Sequence, residues 1–455
     1  MKRRTPLQPG GVGADRQCAP PFAELLRLGV AALQANEPQR AAELFARAVA
    51  MQPDSGVAYC NLAVAQQLGD RYEEALASYA QAIAARPDSV EAHCNRGVAL
   101  SQVGQPDAAL ESFDRALALR PGFPPAHYNK ALALLLLGDL PSGWIEYEWR
   151  HHPLNGGSAA PSRFAQPQWL GEAPLNGKVV LLYAEQGLGD TLQFCRYVPL
   201  VAKLGARIIL EVDAPLVSVL KDMPGVSAVL SRGTSRPAFD YHSPLLSLPL
   251  AFRTNLATVP AAERYLSVEA DKVAAWRDRL GPKTRPRIGL AWSGNPVHYR
   301  DRHRNVPFEL LARHLSPEFQ YVSLQKDVRE SDRRALDAQI AVMNVSSELG
   351  DFSDTAALCE CMDLVISVDT SVAHLSAALG KRTFVLLPFY PDWRWMLRRR
   401  DSPWYPTVTL FRQAAIGDWT PVLLEAASAA RELLRWVHEP TRGIGAVAFT
   451  GSALP

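Results

Sequence analysis

Asp190 is the residue whose position most invites chemistry. Six residues, Val179 to Ala184, form an almost wholly apolar run that leads through Glu185-Gln186 into Gly187-Leu188-Gly189-Asp190-Thr191. That pattern predicts a buried parallel strand, a tight glycine turn and a helix start. Gly187 and Gly189 let the backbone bend and bring a ligand close. An acid at this point stands at the carboxyl end of a strand, where open α/β sheets bind ligands. There it can take a proton from an attacking hydroxyl.

Three later loops offer complementary groups. Leu364–Val368 runs into Asp369-Thr370-Ser371-Val372-Ala373-His374. A strand, an acid, two hydroxyls and a helix start make a phosphate site from free N–H groups and the positive helix end. Asp369 would hold a sugar hydroxyl; alternatively Asp369 or Thr370 is simply an N-cap. Ser323-Leu324-Gln325-Lys326 tops another strand, where Lys326 could meet a phosphate as a point charge. Trp292-Ser293-Gly294-Asn295-Pro296 follows a third strand, with His298, Arg300, Asp301, Arg302, His303 and Arg304 behind it. Those cations read either as ligand contacts or as a solvated charge run. Pro391-Asp392-Trp393-Arg394-Trp395 and Asp401–Pro406 crowd aromatics beside acids, for stacking on a sugar or base, with Trp395 and Trp404 read as core. Arg398-Arg399-Arg400 reads as a surface face. Adjacent His151 and His152 lack spaced partners and read as a surface turn rather than a metal site.

The elements that must position these groups alternate strand and helix, which argues for parallel α/β architecture. A first half spans 177–268, with strands expected at Val179–Ala184, Ile208–Val212 and Ala228–Leu230 and helices near Thr191–Leu204 and Leu216–Met223. A second half spans 286–417, with strands at Arg287–Trp292, Tyr321–Leu324, Val342–Val345, Leu364–Val368 and Phe384–Leu387. Its helices are expected at Phe308–Leu315, Thr355–Met362 and Ala373–Leu379. A C-terminal helix, Pro421–Val437, falls within 418–438, and 439–455 reads as a tail. Two such halves with a cleft between them are the architecture of many nucleotide-sugar transferases.

The region 21–150 repeats every 34 residues. Small residues recur at Gly29, Ala63, Gly97 and Ala131 and again at Ala41, Ala75, Ala109 and Gly143. Aromatics recur at Phe45, Tyr79, Phe113 and Tyr147; residues tolerant of a left-handed backbone recur at Asn36, Asp70, Gly104 and Gly138. Pro53, Pro87 and Pro121 close three units, while Asn155 stands where the fourth would close. Small residues let paired helices approach, an aromatic plugs the gap, and the left-handed residue ends the first helix. The fourth, degenerate unit is expected to cap the array. Asn61, Asn95 and Asn129 share one register, an amide ladder able to hold an extended peptide backbone; the alternative is a merely favoured residue type. Between array and α/β halves, 151–176 reads as a docking segment anchored by Trp169.

Composition narrows the classes. A net charge of +2 on 455 residues gives no general argument for nucleic acid. No apolar run approaches a bilayer span, and the start, Met1-Lys2-Arg3-Arg4, is followed by prolines and glycines rather than an apolar stretch. Cys18, Cys60, Cys94, Cys195, Cys359 and Cys361 form no zinc-type pairs and read as reduced thiols. The expectation is a cytoplasmic protein with a disordered tail at 1–20.

The repeats resemble the tetratricopeptide repeat. Residues 177–437 resemble the heptosyltransferase-like glycosyltransferase family 9, which implies a GT-B pair of Rossmann-like subdomains. Gly189-Asp190 followed by Pro199 is similar to that family's N-terminal motif, whose acid is its proposed base; Asp369–His374 is similar to its donor motif. Glu185-Gln186 departs from the lipopolysaccharide enzymes, which typically carry a basic or hydroxyl residue there. Joined to repeats, the chain is similar to bacterial repeat-plus-transferase proteins, including flagellin glycosyltransferases, and in arrangement to the O-GlcNAc transferases. The resemblance implies an inverting transferase with Asp190 as base. Gly187, Gly189, Asn295, Arg304, Gln325, Lys326, Asp369, Thr370, Ser371 and His374 would hold the nucleotide-sugar. No acid-x-acid pair stands at a strand end, so no metal or other cofactor is expected. The expected partner is a protein acceptor such as flagellin, gripped at Asn61, Asn95 and Asn129, with no nucleic acid. The sugar type, whether hexosyl, heptosyl or nonulosonyl, is open. Alternatives are an inactive transferase-like scaffold or a surface-polysaccharide transferase.

Overall fold

Paired helices fill the first third. α1 (Phe22–Gln34), α2 (Pro38–Met51), α3 (Gly56–Leu68), α4 (Tyr72–Ala85), α5 (Val90–Gln102) and α6 (Pro106–Leu119) make three hairpins in a computed structural model of the chain. It describes residues 21–155, 164–297 and 301–438; the tails, Cys18, His298 and Arg300 lie outside the described residues. Each register of the repeat has its physical counterpart. A Cβ on Gly97 would come within 2.5 Å of the Phe113 ring, and one on Gly29 would strike Phe45. Asn36, Asp70, Gly104 and Gly138 all have positive φ, between 59° and 92°, as residues ending a first helix should. Ser55 and Ser89 cap α3 and α5 by accepting from Ala58 and Ala92 N–H.

The first compact unit ends at Gly122, and the second begins at Phe123. This division falls inside the expected repeat region. The fourth pair, α7 (Pro124–Leu137) and α8 (Leu140–Tyr147), therefore belongs to the α/β body. The cause is packing. Leu135, Leu136, Leu140, Trp144 and Tyr147 share one core with Val180, Leu182, Leu192 and Phe194. Trp144 meets Trp393 at 5.4 Å and Trp404 at 6.2 Å between ring centroids. Aromatic residues that dock against β-sheet helices bury far more apolar area than a solvated cap would.

The second unit holds two parallel sheets. The first contains β1 (Val179–Tyr183), β2 (Arg207–Val212), β3 (Val226–Ser231) and β4 (Tyr241–Pro244), in the order β3-β2-β1-β4. Its helices are α9 (Leu188–Phe194), α10 (Val198–Lys203), α11 (Val217–Leu220) and α12 (Leu248–Ala251). The expected single helix over Thr191–Leu204 is interrupted by a 3-10 turn, Cys195–Tyr197, just before Pro199 enters the first turn of α10. α13 (Ala270–Leu280) leads to the second sheet. That sheet has β5 (Arg287–Ala291), β6 (Gln320–Ser323), β7 (Val342–Met343), β8 (Leu364–Val368), β9 (Thr383–Leu387) and β10 (Val408–Arg412), ordered β10-β9-β8-β5-β6-β7. α14 (Asp301–Arg304), α15 (Phe308–Ala312), α16 (Glu330–Ala338), α17 (Phe352–Glu360), α18 (Ser371–Ala378) and α19 (Thr420–His438) complete it. Both orders reverse direction at one place, between β1 and β4 and between β5 and β8. Those switch points are where doubly wound sheets open a crevice for ligands. The docking segment is as expected: Trp169 is buried, its N–H donates 2.8 Å to the His242 carbonyl on β4, and Gln168 bridges to His242.

Candidate functional site

β1 delivers the chain to the glycine turn, and Asp190 becomes the third residue of α9. Its Oδ2 accepts the Gly187 N–H at 2.7 Å, so the acid caps its own helix. Its Oδ1 accepts from the Arg394 guanidinium. The side chain stays 18% exposed. Burial pushes its pKa up, Arg394 opposes that, and nearby Asp392 adds to it; the net direction is upward.

On the other side of the cleft, β8 leads to Asp369 and then to Thr370, whose Oγ1 accepts Val372 N–H at 3.1 Å and caps α18. His374 is buried on the first turns of α18. Its Nδ1 lies 2.9 Å from the Tyr405 hydroxyl and its ring stacks on Trp395 at 5.2 Å. Burial, and then Arg394, drive its pKa down to about 3, so the ring is neutral and its 3.9 Å approach to Asp369 is no ion pair. Asp369 itself is pushed up to about 6, by burial first and by Asp392 second, against the pull of Trp395, Arg304 and Arg394.

The β5 loop closes on the same place. Arg304 donates 3.1 Å to the Asp369 carbonyl and 3.4 Å to that of Asn295, lying where a Cβ on Gly294 would be. This spans the β5/β8 switch point. Asn295 is exposed and its side chain accepts the Val297 N–H. Gln325 plays a different part from a ligand contact. It accepts from Ser293 N–H and donates to the Asp327 carbonyl, both at 3.2 Å, and so ties two loops together. Lys326 is exposed and donates to the Gly350 carbonyl, just before α17, which is a bond outside the Asp369–Arg304 group.

The two halves meet at Gly189. A Cβ there would stand 2.8 Å from His374 and 3.5 Å from the Ser371 Cα. The starts of α9 and α18 thus face each other, and Gly187, Gly189, Asp190, Asp369, Thr370, Ser371 and His374 form one group. The amide register divides differently. Asn61 and Asn95 are half-buried in the first unit; Asn129 sits on α7 of the second and donates 2.8 Å to its own Pro125 carbonyl.

Sequence reasoning passed over two arginines. Arg394 comes from the 3-10 turn Trp393–Trp395, lies over Trp393 at 4.2 Å, and bonds Asp392 at 2.7 Å as well as Asp190. Only its neighbour Asp392, a capping acid before the turn, hinted at a fixed role. Arg150, from the 3-10 turn Glu148–His151 after α8, is 5% exposed. It donates to Glu185 at 2.7 Å, Glu148 at 2.6 Å, Ser247 at 2.7 Å and the Tyr147 carbonyl at 3.1 Å. Glu185 ends β1 and Ser247 follows β4, so Arg150 fills the switch point of the first sheet. Burial raises the Glu185 pKa against the pull of Arg150; Glu148 also feels burial, but Arg150, His151 and Ser247 together bring it down. Tyr147 donates 3.3 Å to Gln186, joining α8 to the glycine turn. No group of three or more His, Cys, Asp or Glu suited to a metal converges among the described residues, and no helix among them is long and apolar enough to cross a membrane.

These features define a helical repeat array followed by two doubly wound α/β halves whose ligand ends face each other. Comparison with known proteins agrees. Residues 67–104 and 90–123 match tetratricopeptide repeats, and residues 321–387 match glycosyltransferase family 9 (heptosyltransferase). The chain thus joins tetratricopeptide repeats to a C-terminal domain of the glycosyltransferase family 9 kind. A relative, Protein FlbA of Caulobacter vibrioides, is 29% identical over 326 residues, taking in 66% of this chain and 53% of FlbA. The chain therefore spans about half the length of that relative. Among solved structures, glycosyl transferase family 9 from Veillonella parvula is 10% identical, covering 58% of this chain and 99% of its own, with a TM-score of 0.44. MamA is 24% identical, covering 28% of this chain and 75% of its own, with a TM-score of 0.27.

Proposed function

We propose that the chain is a glycosyltransferase that moves a sugar from a nucleotide-sugar to a hydroxyl of a polypeptide. The observation that carries this reading is the meeting of α9 and α18 at Gly189 and His374, with an acid at each helix start. Asp190 takes the proton of the acceptor hydroxyl. That oxygen attacks the anomeric carbon from the face opposite the phosphate. The carbon–oxygen bond to phosphate breaks, the nucleotide leaves with the electron pair, and configuration inverts. Arg304 and the N–H groups and hydroxyls at Thr370–Ser371 neutralise the departing phosphate, a role that needs no metal. The acceptor class rests on the repeats and on the amides of Asn61 and Asn95. A flagellin is the first acceptor to try.

The test is intact-mass measurement of candidate acceptors co-expressed with the wild-type chain or with Asp190→Asn. A gain of one sugar with the wild type and none with the variant is expected. Equal modification by both would remove Asp190 from the mechanism. A scaffold without turnover is a second reading, favoured by one observation: both Asp190 oxygens are bonded within the chain. Donor binding without transfer to any acceptor would support it.

A further inference from the structure

A base whose two oxygens are both engaged is poorly placed to accept a proton. Arg394 is the reason, and its surroundings say what could move it. The guanidinium is 6% exposed and lies against Trp393 and, at 5.8 Å, Phe194. Its two terminal nitrogens bond Asp392 and Asp190. Its Nε is buried with no hydrogen-bond partner among the described residues. Its charge also acts on Asp369 and His374, on the α18 side of the cleft. One cation thus stands between the acid of α9 and the helix start that faces a donor's phosphate.

We propose that Arg394 is a latch on Asp190 which the donor's phosphate releases. The inference rests on the transferase reading and adds an order of events to it. Without donor, the guanidinium holds Asp190 and keeps it a weak base. A phosphate at the start of α18 competes for the same guanidinium. Planar, bidentate bonding suits arginine to phosphate oxygens, and the unbonded Nε gains an acceptor in the exchange. Asp190, buried and released from its counter-charge, then becomes a stronger base. Arg394 is a positioning residue for Asp190 before donor arrives and a ligand of the phosphate after it.

The latch makes a prediction that catalysis is not needed to read. Binding of UDP, GDP, ADP, CDP and CMP to the full chain is measured by calorimetry for the wild type, Asp190→Asn, Arg394→Gln and the double variant. Removing the competitor should tighten the nucleotide that binds by about three- to tenfold in Asp190→Asn, the scale of coupling between contacting charges. Arg394→Gln should weaken it. The gain from Asp190→Asn should vanish in the Arg394→Gln background. If Asp190 merely repelled the phosphate, the gain would persist in both backgrounds; that result, or no gain at all, overturns the latch while leaving the donor site standing. A wild-type chain that binds none of the five nucleotides overturns the donor site itself and the latch with it. Should Arg394→Gln not fold, Arg394→Lys serves, since an ammonium cannot grip a carboxylate in the same planar way, and the gain must shrink there.

Discussion

Replacing Arg150 by methionine should destabilise the second unit by about 3 kcal/mol at pH 8, at the lower edge of the range for breaking a buried ion pair. The size follows from what is left behind. Arg150 bonds both Glu185 and Glu148, whose side chains are 13% and 22% exposed. Methionine fills much of the volume but satisfies neither acid. Glu148 keeps Ser247 at 2.8 Å, which limits its share; Glu185 keeps only His151, at 3.5 Å and neutral. His151 is held down to about 4 by burial and Arg150, so it offers no replacement charge at pH 8. The loss must depend on pH. Glu185 is already raised above 4.5 with Arg150 present, by burial, and losing the arginine raises it further. A carboxyl whose folded pKa exceeds its unfolded value binds more protons when folded, so stability falls as pH rises through that window. At pH 5 the stranded acids can take protons, and the penalty should shrink. Urea unfolding at both pH values reads this directly. Thermal melting of so large a unit should drop by roughly 5–10 °C at pH 8. A loss below about 1 kcal/mol at pH 8, or one equal at both pH values, would show that the arginine does not lock the repeat exit to β1 and β4.

Asp369 gives a second pH effect. Its pKa of about 6, raised by burial above the ordinary 3.8, means that the free wild-type chain loses stability as pH climbs between those values, by at most about 3 kcal/mol. Asp369→Asn should flatten that slope in melts from pH 4 to 7, and an unchanged slope would place the titration elsewhere. The boundary at Gly122 predicts that a fragment of residues 123–455 melts cooperatively, while one of 164–455, stripped of Trp144 and Tyr147, exposes a core and aggregates. Equal melts of the two fragments would refute the assignment of α7 and α8 to the α/β body.

Much of the fold was readable from residue order, because the repeat and the inner strands are written in local patterns. β1, β5 and β8 are near-continuous apolar runs, and each is inner in its sheet. The edge strands β4 and β10 escaped notice. β4 reads Tyr-His-Ser-Pro and pairs only with β1, so one side needs neither N–H nor apolar continuity. α13 and α16 were missed because their charge masks a narrow apolar stripe: Trp276 and Leu280 in one, Leu336 in the other. At the site, Asp190 and the Asp369 loop stand out because a strand, a turn and a helix start adjoin in sequence. Arg394 and Arg150 do not, since their partners lie across the fold: Asp190 is 204 residues from Arg394 and Glu185 is 35 from Arg150. Nothing local tells a bonded arginine from a solvated one.

The placement of the fourth helix pair also says how such a chain can vary. Whole 34-residue units can be gained or lost before Gly122 by recombination between near-identical copies, and every contact of Arg150, Tyr147 and Trp144 survives. The same event reaching into 123–152 would take the wall of the cleft with it. Copy number is therefore free to drift with the acceptor, while the last pair inherits the constancy of the enzyme it has joined.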